Sequence, residues 1–246
     1  MRYFLEVSYK GTNYSGFQSQ KNANTIQSEI EKALKIILKK KIELTGSSRT
    51  DAGVHALQNY FHFDTDRELS SKLLYNLNAI LPTDIAAKNF LKVKDDDHCR
   101  FDAISREYKY FIYKRKNPFL ADRSFYFPYT LDLESMQKAA AIVKDYTDFT
   151  SFSKRKTQVK SFECEIKESK WLIEDECLVY DVKANRFLRG MVRALTATML
   201  KLGRGRMNIT TFKSIIESKD CTLADFSVPA HGLILINVFF PDNYFK

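Results

Sequence analysis

The chain has 246 residues, and 39 Lys and Arg against 30 Asp and Glu leave a formal net charge of +9. That length supplies core for one large domain or two small ones, and the charge favours a polyanionic partner without proving one. No apolar run reaches the length a bilayer needs, and the four cysteines, Cys99, Cys164, Cys177 and Cys221, form neither a CxxC pair nor a zinc-spaced cluster with histidine, so the expectation is free thiols in a reducing cytosol, no metal and no membrane.

Residues 2–9 alternate as a strand and carry Glu6, unlike a signal peptide. A helix is predicted over residues 25–40, where Ile26, Ile30, Ala33, Leu34, Ile37 and Leu38 share one stripe. Asn24 is placed to cap it, with Gln27 in the reciprocal position. Strands at 42–45 and 58–63 follow, then a helix over 71–81 that Pro82 helps to stop, then a strand over 84–93. That order is β-α-β-β-α-β, the ferredoxin-like arrangement.

The second half offers the same order. A strand at 107–114 precedes a helix at 133–144 with Asp132 as its cap. Strands at 162–167 and 178–183, a helix from about 187 to 202 ended by Gly203, and a strand at 233–240 complete it. The expected fold class is α+β: two ferredoxin-like halves, 1–105 and 106–246, with largely antiparallel sheets joined around a central basic cleft. No low-complexity or Pro-rich linker separates the halves, which predicts a fairly rigid unit.

Between the strands at 42–45 and 58–63 lies Ser48-Arg49-Thr50-Asp51-Ala52-Gly53-Val54-His55-Ala56. A carboxylate on a loop between strands is held by a scaffold yet open to a ligand. Taken alone, Asp51-Ala52-Gly53 also reads as an ordinary turn. The whole nonapeptide, however, closely resembles the catalytic loop of the tRNA pseudouridine synthase A (TruA) family, usually G-R-T-D-A-G-V-H-A, with Ser48 in place of the first glycine.

Other segments resemble the same family in the same order. Tyr9-Lys10-Gly11-Thr12-Asn13-Tyr14-Ser15-Gly16-Phe17-Gln18-Ser19-Gln20 is similar to Y-D-G-T-x-Y-x-G-W-Q-x-Q, with Phe17 replacing tryptophan. Asn78-Ala79-Ile80-Leu81-Pro82-Thr83-Asp84-Ile85 matches N-A-x-L-P-x-D-I. His98-Cys99-Arg100-Phe101-Asp102-Ala103 and Arg106-Glu107-Tyr108-Lys109-Tyr110 resemble H-A-R-F-x-A and R-x-Y-x-Y. Asp148-Phe149-Thr150-Ser151-Phe152 and the stretch from Ala184 to Arg193 follow, although Leu188-Arg189-Gly190 stands where the family often has a histidine pair.

The resemblance implies a homodimeric cytoplasmic enzyme that isomerises uridine to pseudouridine at positions 38, 39 and 40 of the tRNA anticodon stem-loop. That isomerisation is redox-neutral and transfers no external group, so no cofactor is expected. Asp51 matches the essential aspartate, as nucleophile at C1′ or as base toward the 2′ proton. Arg193 matches the arginine that the family pairs with it. Tyr108 matches the tyrosine placed against the uracil, although strand alternation reads it equally as core beside Tyr110. Arg49 grips RNA phosphate or shapes the loop, and His55 supports the loop or touches RNA. His62 reads as structural or cleft-lining, while His98 and Arg100 have no assigned role.

Further expectations concern surfaces and mobility. Arg186, Arg189 and Arg193 fall at helical spacing on one face of the predicted helix. The segment 9–20, with Gly11 and Gly16, reads as a flexible arm near the RNA. The runs Lys39-Lys40-Lys41 and Lys154-Arg155-Lys156 are backbone contacts or solvated patches. A noncatalytic pair of RNA-binding domains would share the basicity, but the chain has no RNP1-like run and such a protein leaves Asp51 unexplained.

Overall fold

The computed structural model describes residues 1–155 and 159–245. In chain order the elements are β1 (Arg2–Tyr9), α1 (Ile26–Leu38), β2 (Thr45–Gly46), β3 (His55–Asp64), α2 (Ser71–Ile80), β4 (Ile85–Val93), β5 (Ser105–Tyr113), β6 (Phe125–Tyr126), α3 (Leu133–Val143), β7 (Ile166–Glu174), β8 (Cys177–Ala184), α4 (Met191–Gly203), α5 (Ile209–Glu217) and β9 (Leu233–Phe239). They sort into two units, Met1–Ile104 with Leu235–Lys246, and Ser105–Ile234. The C-terminal segment, which sequence order assigns to the second half, therefore packs with the first.

The first unit has the β-α-β-β-α-β order, and its sheet runs β4-β1-β3-β9 with β2 also pairing β3. β1 is antiparallel to both β3 and β4. Alternation sends Phe4, Tyr60 and His62 to one face, where Phe240, Tyr244 and Phe245 of the C-terminal segment pack on Phe4 and Tyr60. Burying each such ring is worth about 1.5–3 kcal/mol. α1 buries Ile26, Ile30, Ala33 and Leu34, as its stripe predicts.

Two local expectations in this unit need correction. The cap of α1 is Thr25, whose hydroxyl accepts from the Ser28 N–H while Ser28 closes the capping box. Gln27 instead reaches sideways and donates to the Leu44 carbonyl at 2.9 Å. Residues 42–44 form no strand, and pairing is confined to Thr45–Gly46. Ile42 and Leu44 are buried, and side chains from α1 satisfy the backbone there: Leu44 N–H donates to Glu31 at 3.2 Å.

In the second unit the sheet runs β5-β8-β7, both pairs antiparallel, and β6 lies parallel to β5. β7 starts at Ile166 and reaches Glu174, well beyond the expected 162–167. A register shift between Ile166 and Glu168 breaks the alternation at the point where the sequence pattern loses phase. α4 starts only at Met191, because Gly190 sits at φ +76° and caps it. Arg186 and Arg189 thus precede the helix, and the three arginines do not form one helical face. α4 is buried nearly all round, and its end approaches α3 so closely that a Cβ on Gly203 would lie 2.4 Å from the Met136 sulfur. The helix α5, capped by Asn208, adds to the elements expected from the sequence.

His62 links fold and pH. Its Nδ1 accepts from the Cys99 N–H at 3.3 Å, which requires the neutral ring. Burial first, then the nearby His98 and Arg2, lowers it to about 4. An unfolded histidine titrates near 6.5, so the unfolded chain binds the extra proton between the two values, and stability falls as pH drops from about 6.5 toward 4. Urea denaturation should show the wild type losing on the order of 1–2 kcal/mol more than His62→Asn across that window. Parallel stability–pH curves for the two proteins would contradict this role.

Candidate active site

The loop between β2 and β3 carries Asp51, half-buried, at a tight turn closed by Val54 N–H to the Asp51 carbonyl at 3.1 Å. Gly53 follows at φ +80°, a conformation that side chains disfavour. What fixes this loop is a buried polar lattice. Asn59 of β3, fully buried, accepts from Ser48 N–H at 3.3 Å and Tyr60 N–H at 2.9 Å through Oδ1. Through Nδ2 it donates to the Ser48 carbonyl at 2.8 Å and to the Tyr9 hydroxyl at 3.1 Å. The Tyr9 hydroxyl lies 2.8 Å from Thr50 Oγ1, one residue before Asp51. Burial pushes the Tyr9 phenol well above its usual range, so it stays protonated and able to serve both partners.

The segment 10–20 clamps the same loop from outside. Gly11 N–H donates to His55 Nδ1 at 3.0 Å, and a Cβ on Gly11 would fall 2.0 Å from the Val54 carbonyl oxygen. Phe17 N–H donates to the Thr50 carbonyl at 3.1 Å, and its ring stacks on Phe61 with centroids 4.4 Å apart. Tyr14 and Asn13 both donate to the Asp84 carboxylate, at 2.5 and 3.0 Å. This segment is therefore pinned, not a flexible arm. Gly11 permits close approach of two backbones, and Gly16 adopts φ +102° beside the Thr50 carbonyl. His55 is buried loop architecture.

These features can be set beside known proteins. The family model described as tRNA pseudouridine synthase matches residues 6–102 and 146–241. The chain is 43% identical to tRNA pseudouridine synthase A of Parabacteroides distasonis, covering 99% of this chain and 98% of that protein. It is 42% identical to the protein of that name from Porphyromonas gingivalis, with 99% of each covered. A Staphylococcus aureus protein of the same name is 38% identical over 99% of this chain and 93% of its own. The chain belongs to the tRNA pseudouridine synthase family. Its mixed α+β architecture with mostly antiparallel strands agrees with the pseudouridine synthase fold.

The remaining residues singled out by the synthase resemblance fall as follows. Arg49 is exposed on the Asp51 loop, in the first unit. Tyr108 lies on β5 in the second unit, largely buried, with Phe187 packed edge-on at 5.1 Å. Tyr110, two residues on, is fully buried and donates to the Pro229 carbonyl at 2.7 Å, a core position. Arg193 sits in the first turn of α4, and its guanidinium donates to the Val228 carbonyl at 3.0 and 2.6 Å. Lys40 and Lys41 form exposed ion pairs with Asp66 and Glu43, as solvated residues do. Lys154 packs along Gly190, whereas Lys156 lies outside the described residues.

Sequence reasoning missed the Tyr9–Thr50–Asn59 lattice. The signal is a polar residue, Asn59, within the apolar run of β3. Asn59→Ala removes all four bonds of the amide and leaves a buried carbonyl and N–H groups to find new partners. Denaturant unfolding should register a loss of roughly 2–4 kcal/mol. A loss below about 0.5 kcal/mol, the range of ordinary surface substitutions, would show that the lattice does not hold the loop.

Proposed function

We propose that this tRNA pseudouridine synthase acts on uridines 38, 39 and 40 of the anticodon stem-loop, with Asp51 as the catalytic carboxylate. The observation that carries the reading is Asp51 itself, half-buried on a loop that buried hydrogen bonds hold in one conformation. The reaction breaks the N1–C1′ bond, turns the uracil, forms C5–C1′ and releases the C5 proton. A carboxylate beside the sugar serves either by attacking C1′ or by removing the 2′ proton to give a glycal-like intermediate. Either role needs a fixed oxygen near the ribose, which a mobile loop does not supply.

Tyr108 is proposed to contact the uracil and Arg49 to grip RNA phosphate or shape the loop, while Arg193 keeps the role toward Asp51 that the family resemblance implies. A base inside a stem must leave the stack to be isomerised, at a cost of a few kcal/mol. The excess of positive charge supports binding the RNA backbone, which positions a stem by shape more than by sequence. Among the described residues no helix is long and apolar enough to cross a membrane. We read the protein as a cytoplasmic homodimer by the same family resemblance.

The test is site mapping on an unmodified tRNA transcript with uridine at each of the three positions. Carbodiimide treatment and reverse transcription should place pseudouridine at 38, 39 and 40 with the wild type, and none with Asp51→Ala. Modification confined to other positions would overturn the substrate assignment. Full modification by Asp51→Ala would overturn the role of the carboxylate.

A further inference from the structure

A recess in the first unit, about 200 Å³, is lined by Arg49, Arg100, Phe101 and His98 together with the Phe17–Gly46 contact. It is too small for a helix of any kind and suits one base or one phosphate group. Arg49 and Arg100 are exposed, and no acidic side chain lines the recess among the described residues. Phe101 is 74% exposed, which forgoes most of the burial a phenylalanine normally gains.

That ring is nevertheless held in place. His98 Nδ1 accepts from the N–H groups of Arg100 at 3.1 Å and Phe101 at 3.3 Å. The His98 ring backs Phe101 with centroids 4.2 Å apart, and the Arg100 guanidinium lies 5.8 Å from the Phe101 centroid. The Asp102 carboxylate ties the turn down, accepting from His98 N–H and from the Tyr244 hydroxyl, both at 2.6 Å. An exposed aromatic on a pinned turn, flanked by two guanidinium groups, is a preorganised stacking platform beside an anion site.

We propose that this recess binds one unpaired nucleotide of the RNA substrate, distinct from the uridine being isomerised. Its base stacks on Phe101, and an adjoining phosphate is held by Arg49 and Arg100. The proposal rests on the reading of tRNA as substrate. It adds an assignment for the H-x-R-F segment, which the Asp51 chemistry leaves without a task. Guanidinium forks suit phosphate better than ammonium groups do, and every base presents a stackable face.

The test compares wild type, Phe101→Ala, Phe101→Tyr and Arg100→Ala on an anticodon stem-loop, by equilibrium binding and by tritium release from [5-³H]uridine. Phe101→Ala should weaken binding and raise KM about tenfold while kcat changes less than about twofold, and Phe101→Tyr should restore binding. Arg100→Ala should lower the slope of log K against log salt by about one. Stem-loops lacking one loop base at a time then locate the nucleotide: one abasic RNA should bind wild type weakly, with no further loss in Phe101→Ala. Unchanged affinity in Phe101→Ala, or additive losses at every abasic position, would overturn the subsite. Absence of tritium release by the wild type would instead count against the substrate reading, and leaves the binding comparison intact.

Discussion

Four hydrogen bonds converge on the side-chain amide of Asn59, two of them fixing the backbone of Ser48 at the start of the Asp51 loop and one engaging Tyr9, whose hydroxyl meets Thr50. A surface loop would ordinarily sample many conformations, and fixing its backbone in one costs about 1–2 kcal/mol per residue. With the amide buried, a loop conformation that carries the Ser48 backbone away from Asn59 leaves unpaired polar groups in a low-dielectric interior. The carboxylate is thus positioned before substrate arrives. In the role proposed for Asp51, a lattice of this kind lowers the cost of orienting the carboxylate oxygen at the moment of reaction.

The family segments of the first unit divide between chemistry and support. Asp84 holds the segment 10–20 through Tyr14 and Asn13. Asn78 bridges both backbone groups of Ala87 at 2.8 Å, fastening α2 to β4. Phe17 fills the space above Gly46 so tightly that a Cβ there would lie 2.1 Å from its ring. Replacing tryptophan by Phe17 therefore keeps an aromatic packed on Phe61, and its function is support. Asp51, Arg49 and the exposed face of the turn at residues 98–102 are left open to meet a ligand.

Regular periodicity made the larger part of the fold legible. β1, α1, α2, β4, α3 and β8 lie within a few residues of where alternation and helical stripes put them, because each buries one face. Residues 42–44 mislead, since Ile42 and Leu44 alternate as strand residues while distant side chains of α1 satisfy the Leu44 backbone. The start of α4 misled because a positive φ at Gly190 interrupts a pattern that otherwise reads as helical. α5 was within reach: Asn208 followed by Ile209, Phe212, Ile215 and Ile216 is a cap and a stripe. For the site, the Asp51 loop was legible as a motif, but its supporting shell was not. Tyr9 and Asn59 are far apart in sequence, and nothing local marks a polar side chain as buried.

The central claim is that a preset Asp51 carboxylate does the chemistry while other groups bind the RNA. Asp51→Asn keeps the size and shape of the side chain and removes only its charge and basicity. Single-turnover tritium release from [5-³H]uridine tRNA, with enzyme in excess and binding measured in parallel, tests the claim most directly. The account predicts a rate lowered by roughly a thousandfold or more with affinity changed by less than about threefold. Release within about tenfold of the wild type would contradict it, and would move the catalytic role to another residue.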